Sequence, residues 1–405
     1  MNINFATQYR SVRSSIRVGA LFFGMMATLS WAQQSEDSVA FGVRFVCTDA
    51  QLQQVEPAMQ QLLQALKIPS SMVQESKDAL PGSVTYSLKG VTPGVSTLYM
   101  AWRQELEIHD ATLQIPTGRG KTRAIQTVSQ KEILLALLHP GRLTEFRGTA
   151  CNVEALRDNI GIRQNIVMWA EDLTWEWPDG TAAGWNPKFW KKGTPVPGIP
   201  LYDALNDLFF NQAKYSIGCY TATKIVFVQA VLDYYHRIKK DPVVTELITQ
   251  RLLSDGEPLA RLEPARMWSF EDDFEPEDMF REGKLLRIIE PAAHDNFVPG
   301  DWSYFLNTDK RTYEKTGYEG SNALYLGRNR FDDYYNDNNH HYSYREKLAE
   351  VYQWRNNVFS RSHDWAKIKP ISSDLLEKLG STPEQGGLLM AYRVVPYYFG
   401  FEPLP

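Results

Sequence analysis

Cysteine is scarce in this chain: Cys47, Cys151 and Cys219 are the three among 405 residues. Basic runs are missing altogether. There is no block of lysine or arginine, and 43 basic against 48 acidic residues leave a formal charge of -5. A chain of that balance is a poor candidate for nucleic acid. Long apolar runs are equally short in supply. Beyond Val18–Trp31 none reaches the length of a membrane-spanning helix, so no span is expected after the N-terminal segment. Internal repeats and low-complexity segments are absent. No helical zinc-binding spacing and no regular calcium-loop pattern occurs, and neither metal nor other cofactor is expected.

What the chain does have is apolar and aromatic mass. A hydrophobic fraction of 43%, an aromatic fraction of 12%, eleven tryptophans and twenty tyrosines describe a globular protein with aromatic-rich surfaces or grooves. Its length suffices for two ordinary cores. Residues 1–32 carry no acidic side chain, three arginines (Arg10, Arg13, Arg17), the apolar run, and Ser30-Trp31-Ala32 with small residues at the cleavage positions. This reads as a secretory signal, placing the protein outside the cell or in the periplasm. Its removal takes the formal charge from -5 to -8. Export permits disulfides. Cys47 follows an expected strand and Cys151 precedes an expected helix, so a Cys47–Cys151 bridge is expected to close a long loop.

Cys219 is then the unpaired thiol, and an odd thiol in an exported protein points to reactivity or intermolecular pairing. The alternative is a small buried hydrophobe. The local sequence favours chemistry. Tyr215-Ser-Ile-Gly-Cys-Tyr-Thr-Ala-Thr223 runs from a glycine turn into the apolar stretch Lys224–Tyr235. That order puts the sulfur at a helix N-terminus, where unpaired amides and the helix dipole favour thiolate over thiol.

Along the chain, residues 33–172 mix strands and helices as an α+β module. Phe41–Val46 is an expected strand, Gln51–Leu66 a helix capped by Thr48 or Asp49, and Ser83–Leu88, Ser96–Arg103 and Glu105–Ile115 antiparallel strands. Helices are expected over Ser129–Leu138 and Val153–Glu171. Gly118-Arg-Gly-Lys-Thr122 lacks the spacing of a phosphate loop and reads as a basic surface turn. Residues 173–200 hold Trp175, Trp177, Trp185 and Trp190 among prolines and glycines. They serve either as an aromatic wall beside a binding cleft or as a linker that packs its tryptophans onto both domains. Residues 201–405 complete a second domain, closing with helices over Arg345–Arg355 and Pro370–Gly386 and a strand over Ala391–Phe399.

From Pro200 to Tyr335 the chain resembles the protein-glutamine γ-glutamyltransferases of bacterial spore coats. Three segments carry the likeness: Leu201-Tyr-Asp-Ala-Leu-Asn-Asp-Leu-Phe209 with Tyr215–Tyr235; Phe297-Val-Pro-Gly-Asp-Trp-Ser-Tyr-Phe-Leu-Asn307; and Tyr318-Glu-Gly-Ser-Asn-Ala-Leu-Tyr-Leu-Gly327. The resemblance implies a papain-like (NlpC-type) α+β fold, a helix bearing the nucleophile against an antiparallel sheet, preceded here by a smaller α+β domain. It implies Cys219 as nucleophile, protein glutamine and lysine side chains or cell-wall peptide as substrates, and acyl transfer as the reaction. The chain departs from the family at three positions: Gly218 stands for a glutamate, Ser321 for the strand glutamate and Tyr334 for a histidine. Glu319, two residues from Ser321 and so on the same strand face, is one substitute. Asp332, Asp333, His340 and His341, in the polar run Phe331–Tyr344, are others, with that run folding back as a lid. Asp337 joins Asp332, Asp333, His340 and His341 as a weaker cation set, with a hydrated loop as the alternative. Asp301 is expected to brace a turn, and the acidic stretch Glu271–Asp278 to be a solvated loop. Two other functions stay open: a non-catalytic binding or envelope protein that kept the fold, and a cell-wall amidase.

Overall fold

The computed structural model describes residues 42–77, 81–178, 181–254, 286–289, 292–336, 341–359 and 365–396. The signal segment, Glu271–Asp278, Asp337 and His340 lie outside them. Ala40–Pro405 form one compact unit, and its apolar core runs without a break from Val43 to Val394. Among the described residues no helix is long and apolar enough to cross a membrane.

The unit is a mixed α+β assembly. Strand β1 (Gly42–Val46) leads into helix α1 (Asp49–Ala65), followed by β2 (Val73–Ser76) and β3 (Ser83–Leu88). Thr48 and Gln51 form a reciprocal capping box that fixes where α1 begins. A hairpin, β4 (Ala111–Gly118) and β5 (Lys121–Thr127), precedes α2 (Gln130–Leu137), β6 (Leu143–Arg147) and α3 (Val153–Ala170). Arg119 (φ 51°) and Gly120 (φ 69°) supply the two left-handed residues that a tight hairpin turn needs, so the basic segment is a surface turn. The first sheet has the order β2-β3-β1-β6, with β1 parallel only to β6.

Two sequence expectations need correction here. Ser96–Arg103 is not a strand, and the expected Glu105–Ile115 strand starts at Ala111. Thr97 explains the first. Its hydroxyl donates to the Phe297 carbonyl at 2.8 Å and accepts from the Phe297 amide at 2.7 Å. A side chain satisfying backbone groups in this way replaces a ladder.

Cys47 and Cys151 are joined, their Cα atoms 5.5 Å apart and 104 residues apart in sequence. Closing a loop of that length removes chain entropy from the unfolded state. Reduction, or Cys47→Ser with Cys151→Ser, is expected to cost about 4 kcal/mol, read as a drop in the urea midpoint with a steeper slope, because the unbridged denatured chain is more expanded.

After residue 173, a short antiparallel pair, β7 (Trp190–Lys191) and β8 (Thr194–Pro195), precedes α4 (Leu201–Phe210) and α5 (Cys219–Asp233), which are followed by α6 (Pro242–Ser254). A six-stranded sheet then forms with the order β13-β12-β11-β10-β14-β9. Its strands are β9 (Leu286–Ile289), β10 (Trp302–Leu306), β11 (Gly320–Gly327), β12 (Arg330–Asp332), β13 (His341–Tyr342) and β14 (Arg393–Pro396), and every pairing in it is antiparallel. Helix α7 (Tyr344–Gln353) packs on this sheet. The expected helix near the C-terminus is confined to Ser373–Leu379.

Helix α5 buries every residue from Tyr220 to Asp233, as expected for a helix that is apolar on all sides. It lies against α3 and β11. Its far end is tied down at Asp233, whose carboxylate accepts from Trp169 Nε1 at 3.0 Å, Asn165 Nδ2 at 3.1 Å and Tyr202 Oη at 2.6 Å. The helix that begins at Cys219 is therefore held at its far end, and among its residues only Cys219 is not buried.

Candidate active site

Cys219 is the first residue of α5 and is half-buried. Gly218 occupies the cap position and offers no side-chain cap. Cys219 borders a narrow cleft of about 20 Å³, lined also by Trp177, Ser321, Asn322, Asp333, Tyr334 and Glu350 among others. The side chain bonded to it belongs to β11: Asn322 Nδ2 lies 3.3 Å from Cys219 Sγ. Asn322 Oδ1 in turn accepts from Trp302 Nε1 at 2.8 Å.

The first turn of α5 is locked from above. Thr223 Oγ1 donates to the Cys219 carbonyl at 2.8 Å and is 2.8 Å from Tyr334 Oη. A hydroxyl has one proton to give, so the Tyr334 phenol is the donor in the second bond. Burial, then the neighbouring Asp332 carboxylate, push the Tyr334 hydroxyl well above its ordinary range. Tyr334 thus holds the first turn of α5 through Thr223.

Carboxylates supply the acid–base capacity of the cleft. Asp333 and Glu350 both line it, and both meet the buried ammonium of Lys347, at 3.5 and 2.6 Å. Burial alone opposes the Lys347 charge, but Glu350 and Asp333 outweigh it, and the net direction is upward. Cys219 contributes in the same direction, which puts the Lys347 cation within electrostatic reach of the sulfur. Asp332 is fully enclosed, and burial drives its carboxyl strongly upward; it accepts from the Tyr334 amide at 3.0 Å.

The other sequence candidates fall as follows. Ser321 borders the cleft. Glu319 precedes β11, and its carboxylate turns back to accept from the Gly317 amide at 2.9 Å. His341 belongs to a separate ionic cluster: its Nε2 is 3.5 Å from Glu171, which also binds Arg328 and Arg330 at 2.9 and 3.0 Å. Among the described residues no histidine borders the cleft, and no group of three or more His, Cys, Asp or Glu is arranged to hold a metal. Asp301 does brace its turn, accepting from the Val298 amide at 2.8 Å.

Both readings of residues 173–200 hold in part. Trp175 and Trp190 are core residues, donating to the carbonyls of Leu208 and Ala204 at 2.9 and 3.1 Å. Trp177 forms a wall of the cleft, stacked on Tyr335 at 5.6 Å and tilted on Tyr318 at 5.0 Å. Two glycines make the wall fit. At Gly317 (φ +85°) a Cβ would lie 3.0 Å from the Trp177 ring, and at Gly320 one would lie 2.3 Å from the Tyr304 hydroxyl.

Asn322, Lys347 and Glu350 were not singled out by sequence reasoning. Asn322 lies inside a segment quoted for its resemblance, while the i, i+3 spacing of Lys347 and Glu350 reads as an ordinary surface pair.

The model of the family described as TGL, protein-glutamine gamma-glutamyltransferase, matches residues 119–355. A protein-glutamine gamma-glutamyltransferase of Bacillus cereus (strain G9842) is 27% identical over 184 residues, which is 43% of this chain and 55% of that protein. One from Bacillus anthracis (strain CDC 684 / NRRL 3495) is 25% identical over the same length and shares. The chain thus spans about half the length of these relatives. A solved transglutaminase from Geobacillus stearothermophilus (without C-terminal extension) aligns over 61% of this chain and 94% of its own, at 20% identity and a TM-score of 0.38.

Proposed function

The chain belongs to the protein-glutamine gamma-glutamyltransferase family, and on that basis we propose that it is an exported cysteine acyltransferase acting on protein glutamine and lysine side chains. The observation that carries the reading is the placement of Cys219: first residue of a buried helix, bordering a cleft shared with Asp333 and Glu350. The sulfur attacks the glutamine carboxamide carbon as a thiolate, a C–S bond forms, and the electron pair moves to oxygen. Return of that pair expels nitrogen, which takes the proton first removed from the thiol and leaves as ammonia. A lysine amine then attacks the thioester, gives its proton to the same carboxylate, and the C–S bond breaks to restore the thiolate. Asp333 or Glu350 carries the proton in both halves. Amides at the N-terminus of α5 are the natural site for the oxyanion. A papain-like (NlpC-type) arrangement is supported by the helix-then-antiparallel-sheet order after Cys219, and a secreted or periplasmic location by the signal-like N-terminus and the Cys47–Cys151 bridge.

One observation favours a second reading, a non-catalytic protein that kept the fold: no histidine borders the cleft among the described residues. The same observation counts against an amidase that needs a histidine partner. Incubation of the signal-free protein with dimethylcasein and a fluorescent primary amine separates the three. Amine incorporation supports transfer. Ammonia release without incorporation supports hydrolysis. Neither, with an intact fold, leaves the binding protein.

A further inference from the structure

We propose that Asn322 is a catalytic hydrogen-bond donor to the Cys219 sulfur and that Trp302 is the positioning residue that holds its amide in the donating orientation; this rests on Cys219 being the nucleophile. The two ends of a carboxamide are interchangeable in shape but not in chemistry. An indole N–H can only donate, so the 2.8 Å contact from Trp302 Nε1 requires an oxygen opposite it. That assigns Oδ1 to the indole and turns Nδ2, with its two hydrogens, toward Cys219 Sγ at 3.3 Å.

The sheet explains why this pair meets. In the β10–β11 register Trp302 opposes Leu324 and Tyr304 opposes Asn322. Trp302 and Asn322 are therefore diagonal neighbours on one face, a spacing that an indole spans. The indole cannot swing away, because it packs on Tyr220 and Phe227, ring centroids 5.4 and 6.1 Å distant, both on α5. The nucleophile's own helix thus fixes the ring that fixes the amide that faces the nucleophile. Trp302 is 3% exposed and Asn322 9%, so water competes poorly for either bond. The second Nδ2 hydrogen makes no further bond among the described residues, and it is placed for the carbonyl oxygen that becomes negative when the sulfur attacks.

A donor on sulfur favours thiolate over thiol. The test is the pH profile of Cys219 alkylation by iodoacetamide, together with kcat and KM for amine transfer, in wild type, Asn322→Ala, Asn322→Asp, Trp302→Phe and the Trp302→Phe/Asn322→Ala pair. Asn322→Ala is expected to slow alkylation at neutral pH and transfer by about tenfold, lowering kcat with little change in KM, and to move the alkylation midpoint to higher pH. Asn322→Asp keeps the acceptor for Trp302 but puts a negative oxygen against the sulfur, so its midpoint moves further in the same direction. Trp302→Phe gives a smaller shift, and adds nothing in the Asn322→Ala background, because it acts only through that amide. Wild-type profiles in the Asn322 variants, or a Trp302 effect that persists without Asn322, overturn the proposal while wild-type transfer leaves the acyltransferase reading intact. A wild-type protein that neither transfers amine nor alkylates while folded removes both.

Discussion

Replacing Cys219 with serine is expected to reduce amine incorporation by at least about a thousandfold while leaving the thermal midpoint within a degree or two of wild type. The substitution changes one half-buried atom and keeps the helix start, so stability has little reason to move. Chemistry has every reason. A thiol loses its proton within reach of a carboxylate base, whereas a serine hydroxyl needs a far stronger one. Among the described residues the carboxylates bordering the cleft are Asp333 and Glu350, both already paired with Lys347. Oxygen also lacks the polarisability that makes sulfur reactive toward an unactivated amide. Ser321, on the same cleft, is the control: Ser321→Ala should leave incorporation within about threefold of wild type, as for a residue that borders the reacting atoms without bonding to them. A Cys219→Ser protein that retained transfer, or a Ser321→Ala protein that lost it, would move the nucleophile to β11 and discard the mechanism above.

Much of this arrangement was readable before any coordinates. The Thr48 cap, the turn at Arg119-Gly120 and the placement of Cys219 at the start of α5 each rest on local chemistry written in consecutive residues, and the Cys47–Cys151 bridge rests on there being three cysteines in all. The partners of Cys219 do not. Strand β11 is buried at all eight positions, so it shows no polar–apolar alternation from which a face could be assigned. Choosing Glu319 by its two-residue spacing assumed that the strand already ran there; it begins at Gly320, and Glu319 belongs to the turn before it. Lys347 is 1% exposed although it sits in a charged helix, because Asp333 and Glu350 meet it inside, and that coincidence of three elements has no signature in sequence. Thr97 misled in the opposite way: a stretch set off by turn residues suggested a strand, while its hydroxyl was committed to Phe297, 200 positions away.

Replacing Asp301 with asparagine is expected to destabilise the protein by about 5 kcal/mol, the upper end for breaking a buried ion pair, since two cations lose their partner at once. The Asp301 carboxylate is wholly buried between Arg142 and Arg163, themselves 0% and 1% exposed, with Arg163 Nη1 and Arg142 Nη1 at 2.9 and 3.1 Å. Burial alone would raise the Asp301 carboxyl, but the charges of Arg142 and Arg163 outweigh it and hold it below its ordinary 3.8. The sign of the pH dependence follows. Above about pH 5 the carboxylate is ionised in both folded and unfolded chains and its stabilisation is complete. As pH falls below 3.8 the unfolded chain takes up a proton that the folded chain refuses, and stability declines until the folded carboxyl itself protonates. Urea unfolding from pH 7 downward should therefore show an acid limb in wild type that is weakened in Asp301→Asn, the variant lying well below wild type at pH 7 and the two curves converging as the pH falls. A loss of less than about 1 kcal/mol at pH 7 would mean that the two guanidiniums find water, and would contradict the burial of the cluster. The consequence reaches the active site through the chain itself. Asp301 fixes the turn from Val298 and is followed directly by Trp302, so a loosened cluster displaces the indole that orients Asn322, and alkylation of Cys219 should slow at denaturant concentrations well below those that unfold the protein.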